Sequence, residues 1–258
     1  MASATGIPEN ILATNGSEQE EGRAEDEPLL GRRGDVSQQE GKPLYQNVFM
    51  GTAVIAQAGI LLLTASVWAN VLLFDLMLFS AHPLLNSVGI LALTEAILVL
   101  QPTHTPQQKR QGTIAHFTLM NVAFDTLIAG LVVIEYNKGR DPHAHFKSAH
   151  AYLGVITYIL LVIQALIGFT AYFVPRLYGG VENAKSLYKY HRMSGYVILV
   201  LLLVTVCLAT QIDFVKTIGI KLWAVLVCSI LILIGVVPRI KKHKFGFTGP
   251  KSSGAFGQ

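Results

Sequence analysis

Six apolar stretches, at residues 48–74, 76–100, 113–134, 148–174, 193–211 and 214–237, constrain this chain more than any other feature. A helix needs about 20 apolar residues to cross the hydrocarbon core of a bilayer. The first and fourth stretches carry no Asp, Glu, Lys or Arg over their full length. The sixth is the weakest, because its uncharged part runs only from 222 to 237 and Lys221 must reach the interface along its own stem. The connections are short, so neighbouring spans should pack antiparallel. The expected fold is an all-α membrane protein, a bundle of six transmembrane helices. The expected organisation is a disordered tail at 1–45, a membrane domain at 46–240 and a basic tail at 241–258.

Composition agrees and excludes several classes. Apolar residues make up 52% and charged residues 14%, which argues against an ordinary soluble enzyme. The net charge of +4 is unevenly placed. Residues 1–42 carry nine acids and four bases, and they are rich in Glu, Gly, Ser and Gln, as disordered tails are. They show no basic region leading into an apolar one, so they do not read as a signal peptide. The bases elsewhere lie between apolar runs and form no continuous patch for nucleic acid. Two cysteines, Cys207 and Cys228, give no disulfide framework, zinc site or cysteine-ligated cluster. No Gly-rich dinucleotide fingerprint or P-loop is present, so the chain cannot itself take a hydride from a nicotinamide.

Charge sets the expected orientation. With six spans, both termini and the loops at 101–112 and 175–192 share one side. That side holds 15 of the 20 Lys and Arg; the other holds Lys138, Arg140, Lys147, Lys216 and Lys221. The positive-inside rule then predicts both termini in the cytosol. The basic run at 239–244 is a stop-transfer flank first and an anionic-lipid contact second.

Four of the eight histidines, His82, His116, His150 and His191, are separated by 34, 34 and 41 residues and fall one to a span. Each stands near the N-terminal end of its stretch. Consecutive spans run in opposite directions, so His82 and His150 share the non-cytosolic half and His116 and His191 the cytosolic half. Two stacked histidine pairs suit haem ligation: two imidazoles from facing helices fill both axial positions of an iron. Such an iron has no open site and passes single electrons. Gly154 and Gly195, four residues after a histidine on the same helix face, leave room for a porphyrin. The competing reading is four core histidines bonded to backbone or hydroxyls, a poor account of one per consecutive span at matched depth. No span carries two histidines about four turns apart, so the plan with both ligands on one helix is excluded.

Phe79-Ser80-Ala81-His82-Pro83, the run Thr94-Glu95-Ala96-Ile97-Leu98-Val99, Lys147-Ser148-Ala149-His150 and Tyr190-His191-Arg192 resemble the cytochrome b561 family over roughly residues 45–240. The likeness is greatest to its short branch, proteins consisting of little more than the b561 domain. The resemblance implies a six-helix protein with two b-type haems between its central four helices, ligated by His82 with His150 and by His116 with His191. It implies transfer of electrons from cytosolic ascorbate, or a similar small reductant, to monodehydroascorbate or ferric iron on the far side. It also implies a homodimer. The family holds ascorbate with cytosolic bases: Lys109 and Arg110 match, the position three before His116 is Thr113, and the position seven before His191 is Ala184, with Lys185 beside it. A pathway-lining role for the histidines in a proton or metal transporter is the alternative, and a structural four-span-like protein is a third.

Glu95 lies 13 residues beyond His82, about 20 Å along a helix, near the level of the cytosolic pair. It is expected to bond a neighbouring helix or to take up a proton. Asp125 lies near mid-membrane. His143 and His145 could hold ferric iron on the far side, although a solvated loop pair is the simpler reading. Glu25-Asp26-Glu27-Pro28-Leu29-Leu30 resembles an acidic dileucine sorting signal, which points to an endomembrane such as the vacuole, the endosome or the ER.

Overall fold

A computed structural model describes residues 35–139, 145–241 and 245. The acidic tail before residue 35 with its dileucine-like motif, Arg140, His143 and His243 lie outside the described residues. Six helices are long and apolar enough to cross a membrane. They are α1 (Ala53–Leu72), α2 (Ala81–Leu100), α3 (Pro106–Lys138), α4 (Ala149–Phe173), α5 (Val181–Ala209) and, after the five-residue α6 (Asp213–Thr217), α7 (Leu222–Val236). No strand occurs among the described residues. The protein is a multi-pass integral membrane protein, as expected from its six apolar stretches.

Three boundaries differ from expectation, each for a local reason. Helix α3 begins at Pro106 and not near 113, because Thr105 caps it by accepting the Gln108 N–H and Pro106 needs no partner at the first turn. Helix α5 begins at Val181 and not near 193. Gly179 and Gly180, with φ of 79° and 121°, set the turn before it, and polar helix formers carry the helix outward from the apolar stretch. The stretch 214–221, expected to open the last span, is instead α6 and a turn at Gly219 with φ of 85°, so the last crossing begins at Leu222.

The helices pack as antiparallel pairs. Helix α2 lies along α3, and α4 along α5. Helix α1 lies along α7 at backbone contact: a Cβ on Gly235 would collide with the backbone of Ala56, and one on Gly59 would stand 2.7 Å from the Cys228 carbonyl oxygen. Small residues let helices approach this closely in lipid. Helices α3 and α4 barely touch. Between them lies a cavity of about 300 Å³ lined by residues including Ile128, Leu131, Val155 and Tyr158.

The start of α1, the end of α2 and the end of α7 meet at one face, called here the terminal face. Gln38, in the stretch expected as a tail, is buried there. Its N–H donates to Pro102 O at 3.0 Å, and Asn47 donates to its Oε1 at 3.0 Å and to Val99 O at 2.9 Å. The opposite side is the far face.

Candidate functional site

His82 and His150 are the second residues of α2 and α4, and Ser148 caps α4 by accepting the Ala151 N–H. The antiparallel order brings both to the far face, where their ring centroids stand 6.3 Å apart at an interplanar angle of 88°. His82 Nδ1 is 2.9 Å from Gly130 O, and His150 Nδ1 is 2.9 Å from Thr205 O. A carbonyl oxygen can only accept, so each Nδ1 carries the proton and each Nε2 keeps a free lone pair. Asn86 donates to His82 O at 2.7 Å and accepts the Tyr158 hydroxyl at 2.6 Å, which ties α2 to α4 beside the pair.

His116 and His191 lie toward the terminal face, within electrostatic reach of each other. They stand ten residues inside α3 and α5 and not at the helix ends, because both helices start earlier than the sequence suggested. His116 Nδ1 donates to Ala96 O at 2.9 Å. The His191 ring lies against Gly168, where an added Cβ would stand 2.7 Å from Cε1, and its buried Nδ1 has no partner. Gln164 donates to His191 O at 2.6 Å and accepts the Ser194 hydroxyl at 2.7 Å.

One register runs through all four helices. Ala96, Gly130, Gln164 and Thr205 each stand fourteen residues beyond the histidine of their own helix. Each bonds the histidine of the antiparallel neighbour, the first, second and fourth through a backbone carbonyl and Gln164 through its side chain. Fourteen residues are about 21 Å of helix, so the two levels are about that far apart.

The far pair fits a metal held between two rings. Metal–imidazole bonds of about 2 Å put two facing ring centroids roughly 6 Å apart, close to the observed separation at the far level. Nδ1 protons held by carbonyls are the usual outer support of imidazole ligands. Among the described residues no group of three or more His, Cys, Asp or Glu is placed to hold a metal ion. A two-imidazole site would need a cofactor to supply the remaining ligands.

The family model for eukaryotic cytochrome b561 matches residues 81–216, more than half of the chain and all four histidines. The chain belongs to that family. It is similar to the mouse (Mus musculus) transmembrane ascorbate-dependent reductase CYB561, 30% identical over 112 residues, 43% of each chain. It is also similar to the maize (Zea mays) ascorbate-specific transmembrane electron transporter 2, 27% identical over 49% of this chain and 53% of that one. A third relative is the mouse lysosomal membrane ascorbate-dependent ferrireductase CYB561A3, 26% identical over 38% of this chain and 42% of that one. The chain spans about half the length, or less, of these curated relatives. No solved structure matches it significantly. That family is one of b-type haem proteins, and these relatives are named as a reductase, an electron transporter and a ferrireductase.

The other residues singled out in the sequence fall around this b561 core. Lys109 is half-buried and Arg110 exposed on the outward extension of α3. Lys185, on the extension of α5, pairs with Glu182 at 2.6 Å. Glu95 accepts from Gln57 of α1 at 2.7 and 2.8 Å, the bond to a neighbouring helix that was one of its two expected roles. Asp125 is exposed on α3, and His145 stands 3.4 Å from Glu135 near the far face. Gly154 has space around it, its nearest added-Cβ contact being Thr205 Cγ2 at 3.8 Å; Gly195 packs against Gln164. Gly130, Gly168 and Gln164 were missed, although the fourteen-residue offset from each histidine could have flagged the first and last.

Proposed function

We propose that this b561 protein carries electrons across its membrane through two b-type haems. His82 and His150 would ligate the one near the far face, and His116 and His191 the one nearer the terminal face. The observation that carries this reading is the facing, Nε2-free pair His82–His150 at the far level, with His116 and His191 on the same two hairpins at a second depth. Bound haem supplies reversible one-electron chemistry at iron, and two axial imidazoles leave it no open site. The chain's own part is to aim the four rings, exclude water with the apolar walls of α2 to α5, and set the levels about 21 Å apart in a core about 30 Å thick. Neither level alone reaches both aqueous phases.

The donor in this reading is ascorbate or a similar small anionic reductant, the substrate named for relatives from mouse and maize. Lys109 and Arg110 at the terminal face, with Lys185 more weakly because Glu182 neutralises it, raise the local anion concentration. The acceptor is monodehydroascorbate or ferric iron on the far side, and the terminal face is cytosolic by its excess of Lys and Arg. The domain is residues 46–240, flanked by the acidic tail and a short basic tail, in an endomembrane. The exposed polar stripe Thr118, Asn121 and Asp125 on α3 supports a homodimer, since an intramembrane carboxylate seeks cover.

Purified protein should be red, low-spin and carry about two haems per chain. In vesicles loaded with ferricyanide and oriented terminal face outward, external ascorbate should reduce the internal ferricyanide. His82→Ala should abolish that transfer while its remaining haem still reduces with ascorbate. Transfer by His82→Ala at the wild-type rate would reject the two-haem path.

A further inference from the structure

Arg239, in the 3-10 turn that follows α7, is 2% exposed. Its Nη2 donates to Asn47 O at 2.9 Å and to Leu98 O at 3.3 Å, which fixes the guanidinium between α7, α2 and the segment before α1. Its Nε and Nη1 are buried and have no partner. No carboxylate among the described residues pairs with it. A buried guanidinium with two empty donor positions and no counter-ion is a costly arrangement, because desolvation is uncompensated. A ligand oxyanion accepting from Nε or from Nη1 would offset that cost, because hydrogen bonds from a guanidinium to an anion are short and strong.

The surroundings fit an anion from the haem side. The Tyr196 phenol lies within electrostatic reach of both Arg239 and Arg192. Arg192 directly follows His191 in sequence. Tyr196 accepts from Gln101 at 3.1 Å, and the same Gln101 amide donates to Val236 O at 3.1 Å, so α2, α5 and α7 converge here. Lys241, also buried, donates to Thr103 O at 3.4 Å and adds a second positive charge to the same face.

We propose that Arg239, with Arg192 and Tyr196, forms a buried oxyanion site at the terminal face that holds a carboxylate or enediolate. The two sources are a carboxylate side chain of the haem at the His116–His191 level and the anionic donor itself. The first source rests on the two-haem reading above. Either way the site acts through charge, so Arg239 is a positioning and binding residue and no ligand to iron.

Haem content, the midpoint potential of each haem and the ascorbate dependence of reduction are measured for wild type, Arg239→Gln and Arg239→Lys. If the anion is a haem carboxylate, Arg239→Gln lowers the midpoint of one haem and leaves the other in place. Loss of a nearby cation favours the oxidised iron. Arg239→Lys then shifts the same midpoint by less, because it keeps the charge and loses the planar guanidinium donors. If the anion is the donor, both midpoints hold while half-saturation by ascorbate rises several-fold in Arg239→Gln. Unchanged midpoints and unchanged ascorbate dependence in Arg239→Gln overturn the site. Should Arg239→Gln not fold, Arg239→Lys decides alone. It keeps the charge and loses the fork, so a weakened haem or ascorbate interaction supports the site and wild-type behaviour on both overturns it. Wild type without haem would sink the two-haem reading instead.

Discussion

His82 gives its Nδ1 proton to the carbonyl of Gly130, 2.9 Å away on the neighbouring helix, and Gly130 stands fourteen residues beyond His116. The reciprocal bond runs from His116 to Ala96, fourteen residues beyond His82. Each histidine of the α2–α3 hairpin is thus aimed by the helix that carries the other.

Ligands on opposite hairpins make the two levels separable. His82→Ala and His150→Ala should each lower haem content from about two to about one per chain, and combining them should cost no further haem. His82→Ala with His116→Ala should lose both. Haem-to-protein ratios from the pyridine haemochrome spectrum check this, and a one-haem product from the last variant would mean the pairing is wrong.

Glycine substitutions should pick out one level each. In Gly168→Ala the new methyl, 2.7 Å from His191 Cε1, displaces a ring whose buried Nδ1 has nothing to hold it, so the haem nearer the terminal face should be lost. In Gly130→Ala the methyl meets Asn86 Nδ2 and frees the Tyr158 hydroxyl from Asn86, so the far haem should loosen. Potentiometric titration assigns which midpoint disappears. Equal loss of both haems in either variant would contradict separate levels.

Charge reversal of Lys109 and Arg110 should slow reduction by ascorbate at low salt by about tenfold or more, with a shrinking penalty as salt rises. Haem content should hold. Stopped-flow reduction at two ionic strengths measures it, and a salt-independent rate equal to wild type would remove these bases from donor capture.

Gly235→Ala tests the frame and not the site. Its methyl collides with the Ala56 backbone, and overpacking of this kind costs about 1–3 kcal/mol. The melting temperature in detergent should fall while the haem spectrum below the transition stays unchanged. An unchanged melting temperature would show that α1 and α7 are not in backbone contact.

The six spans were legible because bilayer thickness writes itself into the length of apolar runs. The histidine pairs were legible because antiparallel order converts sequence spacing into depth. The early starts of α3 and α5 were not, since their outer turns are polar and leave no apolar signal, although Thr105-Pro106 and Gly179-Gly180 mark both starts. Arg239 was read as part of a flank following the last span, because sequence position alone does not reveal that Asn47 and Leu98 close over it. The carbonyl partners carry no residue-type signal, because any residue has a carbonyl, and only the fourteen-residue register selects Ala96, Gly130 and Thr205.

Aiming and ligating are divided between different neighbours. Within a hairpin the helices orient the rings of His82, His116 and His150; across the hairpins His82 and His150 face each other. One hairpin alone therefore presents a solitary imidazole at each depth, and only the meeting of the two hairpins could grip a metal from both sides. In the two-haem reading the cofactor clasps two hairpins that scarcely touch where α3 passes α4, while the α1–α7 seam joins the two halves elsewhere. A chain cut in the loop between those helices should stay joined through the α1–α7 seam, and haem should raise the melting temperature of the nicked protein.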